Sequence, residues 1–556
     1  MNSLQRKVMT MMKSRTAAVA LTVLALVALF VGLAIPAQSQ IPTPTVLYEF
    51  QGAPTDAPNP FGAMAQGRDG NLYGTGTARG ANFRGGVWKI TPSGRETLLV
   101  SFPSTYNNCQ GLTLGMDGNF YGDCFGGGAH NLGLIYRVTP AGVLTDLHDF
   151  DGSANDGTPF QGPPVLGPDG NLYGQTGNSN TLSGSIYRIT PAGVYKNLYT
   201  MTGGYSLPSP LTFGSDGNLY TTVATAPVFG NRGAVVRITT GGAIKTVYGF
   251  VDTTGSFPNS GVIQGTDGKL YGTTSFGGAH GNGTIYKVST AGAFTELHST
   301  DNPTGPANYN DLLQATNGNF YGAGFGGGTG NQGDIYELTS ADVFSSFLLD
   351  QSTKAALGNQ PAAPLMQHTN GTIFGTNSTG GSPFPAQGTF FSLNIGASPF
   401  IRLVSPVPAG IEGSQIGILG QKFSASSVVK FGGVTATTKA LTGSTFILAT
   451  VPGGALTGSV TVTTGTTTLT SNQTFKVKPT LKTFTPVSGP VGTLVTITGT
   501  GLKQASKVMF NGTSASFTVK SDTQITATVR TGATSGKIAV TTTGGTITSS
   551  TSFTVN

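Results

Sequence analysis

The sequence predicts an all-β molecule, a seven-bladed β-propeller followed by two immunoglobulin-like β-sandwiches. Three observations carry this. A unit of about 50 residues recurs seven times, a strand stands alone before the first unit while the last unit lacks its fourth, and two mutually similar stretches of about 80 residues close the chain. Composition agrees: 84 glycines, 17 tyrosines and 10% charged residues fit short strands joined by tight turns, and helical patterning is almost absent.

The repeat is clearest in Asp267 to Gly292, DGKLYGTTSFGGAHGNGTIYKVSTAG. Asp267-Gly268 is a hairpin turn, because both residues tolerate positive φ. Leu270 to Thr274 then reads as a strand, a Gly-rich loop follows, and Thr284 to Ser289 alternates as the next strand before a turn at Thr290 to Gly292. The aromatic after the turn recurs as Tyr73, Tyr121, Tyr173, Tyr220, Tyr271, Tyr321 and Phe374, at spacings of 48, 52, 47, 51, 50 and 53. Asp-Gly becomes Asn-Gly at Asn317 and Asn370, an interchangeable turn former. A second aromatic strand follows each time, as in Val87-Trp88-Lys89-Ile90 and Ile135-Tyr136-Arg137-Val138, except that unit four has Val235-Val236-Arg237-Ile238 there and Thr221-Thr222 in place of Gly-Thr.

With an apolar strand before the turn (Gly261 to Gln264) and one after the second turn (Phe294 to Leu297), each unit has the four strands of a propeller blade. The last unit stops at Leu393-Asn394, whereas Val46 to Phe50 matches the fourth strands Leu98 to Phe102 and Thr246 to Phe250. Donation of that strand to the last blade would close the ring and remove an open edge.

These repeats, in Asn71-Leu72-Tyr73-Gly74-Thr75 and Gly283-Thr284-Ile285-Tyr286-Lys287-Val288 above all, resemble the GloVer tandem repeats of exported bacterial proteins. The resemblance covers about residues 45 to 394 and implies export; it implies no activity. From Pro399 the period breaks. Val429-Lys430-Phe431-Gly432-Gly433 is echoed by Val508-Met509-Phe510-Asn511-Gly512, and Phe475-Lys476-Val477 by Phe553-Thr554-Val555. These stretches resemble two IPT/TIG domains, and turns every 8 to 12 residues read as sandwiches independently. The expected organisation is a signal peptide over 1–40, a propeller over 41–396, and IPT/TIG domains over 397–477 and 478–556, the last two forming a semi-rigid rod because Val477-Lys478-Pro479 leaves almost no linker.

Met1 to Arg15 carries Arg6, Lys7, Lys13 and Arg15 with no acid, and an uncharged run from Thr16 to Ile35 precedes Ala37 and Ser39. That is the order of a secretory signal, so the chain is expected to be secreted or held at the cell surface; an uncleaved membrane anchor is the alternative. Residues 41–396 hold 14 Lys and Arg against 21 Asp and Glu, whereas residues 397–556 hold 12 against 2. Export and the lack of basic-aromatic clusters argue against nucleic acid. Cys109 and Cys124 flank the Asp117-Gly118 turn at nearly opposite positions, so a local disulfide is expected.

In a propeller whose strands run outward from the channel, the Asp-Gly and Thr-Pro-x-Gly turns share one face, and the Gly-rich loops and variable inter-blade connections occupy the other. Binding is expected on the loop face, with His130, Asn131, His280, Asn282 and Asn331 as candidates ringing the channel mouth. The alternative is that glycine and asparagine serve turn geometry and the histidines are merely exposed. His148 and His298, on outermost strands, are expected to be exposed edge residues. Asp151 to Gly157 alternates oxygen-bearing residues that would suit Ca2+, but lacks a terminal bidentate Glu, and a turn is the competing reading. No other cofactor is indicated. No Gly-x-Ser-x-Gly elbow and no inward carboxylate on first strands such as Leu112-Thr113-Leu114 is seen.

The resulting expectation is a monomeric, non-enzymatic binding or adhesion protein with an unknown protein or polysaccharide ligand and the two sandwiches as spacers. The alternatives are an extracellular carbohydrate- or lactone-active enzyme and a structural envelope component. Two carboxylates, or a His–carboxylate pair, within about 3 to 6 Å on the loop face would favour the enzyme.

Overall fold

The computed structural model describes residues 41–556 except 53–55, 154–155, 160–161, 179–182, 201–208, 225–229, 231, 301–305, 310, 328–331, 350–356 and 382–386. Residues 1–40, expected to be a signal peptide, and Asn331 lie outside the described residues. The described secondary structure is all β, and no helix there is long and apolar enough to cross a membrane.

Seven antiparallel sheets follow one another in chain order, each with four strands or with a fifth short one. In blade five the order is Ile263–Gln264, Leu270–Thr274, Thr284–Val288 and Phe294–Ser299. Its turn works as the sequence predicts: Gly268 has φ +79°, and the Lys269 N–H donates to Asp267 Oδ1 at 3.0 Å. Tyr271 adds a brace, its hydroxyl donating to Asp267 Oδ2 at 3.0 Å. The same bond recurs from Tyr73 to Asp69, Tyr121 to Asp117, Tyr173 to Asp169 and Tyr220 to Asp216. Blade six has Asn317 in the turn, and the carboxylate comes instead from Glu337, which accepts from Tyr321 at 2.7 Å. Glu337 stands where Lys89, Arg137, Arg188, Arg237 and Lys287 stand in blades one to five, so an acid has moved from turn to strand.

The expected ring closure is present. Thr45–Glu49 pairs antiparallel with Thr389–Leu393, Val46 opposite Phe391 and Tyr48 opposite Phe390, so the N-terminal strand completes the last sheet. Four inter-blade joints share one latch, in which a first-strand glutamine accepts from the turn backbone of the preceding blade: Gln264 from Ser215, Gln314 from Thr266, Gln367 from Thr316 and Gln66 from Thr369. Leu114, Leu166 and Phe213 hold the corresponding position at the other three joints.

Two sandwiches follow. Each pairs a four-stranded sheet with a five-stranded one in the same order, and in each a short parallel pairing, Ala409–Gly410 with Thr467–Val477 or Ser488–Gly489 with Gly545–Val555, links the first and last strands. Each has its own core, around Phe431 and Phe475 in one and Phe510 and Phe553 in the other. The junction is braced, since the Thr457 N–H donates to Gln504 Oε1 at 2.8 Å.

The first sandwich does not stand off as a spacer. It docks on the turn face of the propeller. The Phe400 N–H donates to Thr369 O at 3.0 Å, Thr445 Oγ1 to Arg68 O at 2.7 Å and Lys476 Nζ to Ser215 O at 3.0 Å, while the Arg68 guanidinium lies 4.3 Å from the Phe446 ring centroid. Val407 joins the apolar cluster that holds Leu211 and Phe213. Arg402 is half-buried as a residue, but its guanidinium bonds Gln367 O inside the interface, and loss of water lowers its pKa to about 10.

Candidate functional site

The first two strands of blade two are unusually long, Tyr106–Leu114 and Phe120–Gly127, and the disulfide ties them where Cys109 faces Cys124. The bridge expected from the sequence is therefore present. Side chains alternate along a strand, so the neighbours of the two cysteines, Asn108 and Gln110 on one strand and Asp123 and Phe125 on the other, project to the opposite side. These four, with Phe61, Pro159 and Gly162 from the flanking inter-blade connections, line a pocket of about 220 Å³. Asp123 and Phe125 lie on the half of their strand that leads to the Gly-rich loop, so the pocket belongs to the loop face.

Its lining is chemically divided. Phe125 is 50% exposed, and Gln110 Nε2 donates to Asn108 Oδ1 at 2.9 Å. Asp123 is 5% exposed, and desolvation pushes its carboxyl well above the usual carboxylate range. Behind it the buried hydroxyls of Tyr136 and Tyr187 have no hydrogen-bond partner among the described residues, and the Asp123 charge adds to the burial that raises both. An uncharged Asp123 can both donate and accept.

The predicted candidates lie elsewhere. The Gly-rich loops fold outward over the ends of the outermost strands: the Ala129 N–H donates to Asp149 Oδ1 at 2.9 Å and the His280 N–H to Ser299 Oγ at 3.4 Å. His130, Asn131 and His280 are exposed and Asn282 half-buried on these peripheral arms, and they do not ring a channel mouth. Asn131 has φ +57°, the turn role that was its alternative reading. The loops instead present aromatic surface, with Phe83 81% and Phe276 56% exposed.

His148 and His298 are not exposed edge residues. His148 stacks on Tyr195 at 4.0 Å and meets Asp156 Oδ1 at 2.7 Å through Nε2, while His298 stacks on Phe344 at 3.9 Å, each across a joint between blades. The first of these is a His–carboxylate pair within the distance set for an enzyme. It is a repeated structural brace, because Tyr48 and Asp56 meet in the same way at 3.5 Å two joints away and Tyr195 covers the imidazole face. The Asp151 loop reads as a turn: Asp156 Oδ2 accepts the Asp151 N–H and Asp151 Oδ1 the Ser153 N–H. Among the described residues no three His, Cys, Asp or Glu side chains are grouped as metal ligands.

Two desolvated acids, one on a half-buried residue and one on a buried residue, were not visible in the sequence. Asp311, directly before the inner strand of blade six, accepts the Gly261 N–H at 2.6 Å, and burial raises its pKa to about 6. Asp334 is wholly buried and likewise raised by desolvation. Neither lines the pocket. Nothing in local sequence separates Asp123 from a surface aspartate; its neighbour Cys124 was the one available signal.

The profile of the Gloeobacter/Verrucomicrobia repeat matches residues 36–224 and 207–445. The chain belongs to this repeat family. In this Gloeobacter/Verrucomicrobia repeat protein an IPT/TIG domain also matches residues 479–555, and residues 397–477 have the same strand order. No curated protein matches the chain. Solved structures with similarity include a fungal alcohol oxidase of the AA5 family in complex with copper, at 14% identity over 79% of this chain and 100% of that one, with a TM-score of 0.44. A gluconolactonase from Xanthomonas campestris matches at 14% identity over 52% and 96% (TM-score 0.33), and a surface glycan-binding protein from Prevotella bryantii at 16% over 28% and 41% (TM-score 0.22).

Proposed function

We propose that this repeat protein is exported and works as a non-enzymatic recognition protein outside the cytoplasm, engaging its ligand with the loop face of the propeller. One observation carries the reading: the turn face is occupied by the chain's own first sandwich, while the pocket beside Asp123 and the exposed rings of Phe83, Phe125 and Phe276 lie on the other side. Aromatic surface beside hydrogen-bonding groups is the composition of binding patches. The second sandwich then acts as the spacer.

The enzyme reading draws on Asp123, a buried carboxyl in a pocket that desolvation pushes well above the usual carboxylate range. Among the described lining residues it has no partner acid or base, and the His148–Asp156 pair is not among them.

The test is a screen of the mature chain against glycan and envelope-protein arrays, repeated with Phe83→Ala, Phe125→Ala and Phe276→Ala. Loss of a captured ligand in at least one loop-face variant is the expected result. Capture that survives all three, or that residues 478–556 achieve alone, would overturn the reading. Turnover of a sugar or lactone by the mature chain that Asp123→Asn abolishes would replace it with the enzyme.

A further inference from the structure

Resting on that reading of the loop face, we infer that the pocket of blade two holds one uncharged sugar ring, hydrogen-bonded by Asp123, Gln110 and Asn108 and packed on Phe125, with the Cys109–Cys124 bridge as the device that holds these groups in place.

A sugar ring is amphipathic, with C–H faces that lie on aromatic rings and a rim of hydroxyls that each donate and accept. The pocket has that division: Phe125 and Pro159 supply apolar surface, and two carboxamides and a carboxylic acid supply groups able to do both. Charged ligands are poorly served. Among the described residues no lysine, arginine or histidine lines the pocket to meet an anion. A cation would require Asp123 to ionise at a site 5% exposed, where desolvation opposes the charge.

Size points the same way. About 220 Å³ is below the roughly 300–1,000 Å³ of drug-sized sites, which suits a single ring, terminal on its glycan, rather than an extended chain.

The other six blades pair their strands without a disulfide among the described residues. In blade two the residues flanking the bridge are four of the seven that line the pocket, and Gln110 is the register partner of Asp123. Locking Cys109 against Cys124 sets the spacing of the polar groups before any ligand arrives, which is how preorganisation favours binding.

The experiment is ligand-observed NMR on the mature chain with the methyl glycosides of glucose, galactose, mannose and N-acetylglucosamine, and with glucuronate and glucosamine as charged counterparts. At least one neutral glycoside is expected to bind. Asp123→Ala and Phe125→Ala should each weaken it tenfold or more, and Asp123→Asn should lose less, because a carboxamide keeps the donor and the acceptor of a neutral acid. Melting curves check that the variants are folded; Phe125 is exposed enough that its truncation leaves the core untouched. Reduction of the folded chain should weaken binding at least threefold. Equal affinity in oxidised and reduced chains would overturn the role of the bridge. Preference for glucuronate or glucosamine, or binding indifferent to Asp123 and Phe125, would overturn the sugar site. If no sugar binds while an array ligand is still lost in Phe83→Ala or Phe276→Ala, the sugar inference fails and the loop-face reading stands. If no loop-face variant changes any capture, both fail.

Discussion

Thr221 lies opposite Val236 in blade four, and at the same place in each of the other six blades a glycine lies opposite an aromatic ring: Gly74 and Trp88, Gly122 and Tyr136, Gly174 and Tyr187, Gly272 and Tyr286, Gly322 and Tyr336, Gly375 and Phe391. The ring crosses the second strand so closely that a Cβ on Gly272 would sit 2.5 Å from Tyr286 Oη, and one on Gly74 2.2 Å from Trp88 Cζ2. The two departures of blade four are thus one exchange of volume across a strand pair. Gly272→Val is expected to cost at least the ~1–3 kcal/mol of an overpacked core. Val236→Tyr should destabilise in the same way, and the double change Thr221→Gly with Val236→Tyr should recover a coupling of about 1–3 kcal/mol in a denaturant double-mutant cycle. Simple additivity would refute the compensation.

Ring closure rests on residues far apart in sequence. The Thr369 N–H donates to Gln66 Oε1 at 3.1 Å and Gln66 Nε2 to Thr369 Oγ1 at 2.8 Å, 303 residues apart. Gln66→Ala leaves a buried amide without its acceptor, and a loss of about 1–3 kcal/mol is expected in urea unfolding. Deleting residues 41–51 strips the edge of Thr389–Leu393 and should lower the melting temperature by more. An unchanged melt would refute closure by the N-terminal strand.

Thr369 also serves the docked sandwich, since its Oγ1 donates to Gly420 O and accepts from Gln421 Nε2. Residues 41–396 made alone lose these partners together with Val407 and Arg402. They should melt below residues 41–477, whereas removing residues 478–556 should leave the propeller's transition in place. Calorimetry of the three lengths separates these outcomes; equal melting of the first two would mean that the interface contributes nothing.

Glu96 opens the outer strand of blade one beside Tyr48 and Asp56. Burial first, and the Asp56 charge second, raise its carboxyl to about 7. The folded state therefore holds a proton that the unfolded chain releases near pH 4.5. Stability should fall as pH rises from about 4.5 to 7 and stay lower above that. Glu96→Gln should flatten this part of the curve and be more stable than the parent at pH 8. His368 acts in the opposite sense. Its buried ring, with Nε2 2.9 Å from Gly70 O and Nδ1 accepting the Asn370 N–H, is held below its ordinary pKa by desolvation, so stability falls on acidification below about 6.5. Comparing Glu96→Gln with the parent isolates the first effect.

The repeat, the turns, the donated strand and the facing cysteines were legible because each depends on residues close in sequence or on a period that can be counted. The candidate site was not. His130 and His280 lie in loops whose direction is set by bonds to Asp149 and Ser299, about 20 residues away, so their distance from the channel could not be read from a Gly-rich stretch. Asp123 could not be told from a solvated aspartate, because the pocket it lines is completed by Phe61 and Pro159, which are far from it in sequence.

The sequence by itself determined a ring of seven four-stranded units and its closing strand, since period-2 patterning and turn chemistry leave a blade little alternative. Tertiary structure alone decided which face the first sandwich covers. Arg402, Val407 and Thr445 bring it onto the turn face through contacts spanning tens to hundreds of residues, and the Cys109–Cys124 bridge and Asp123 lie on the other side.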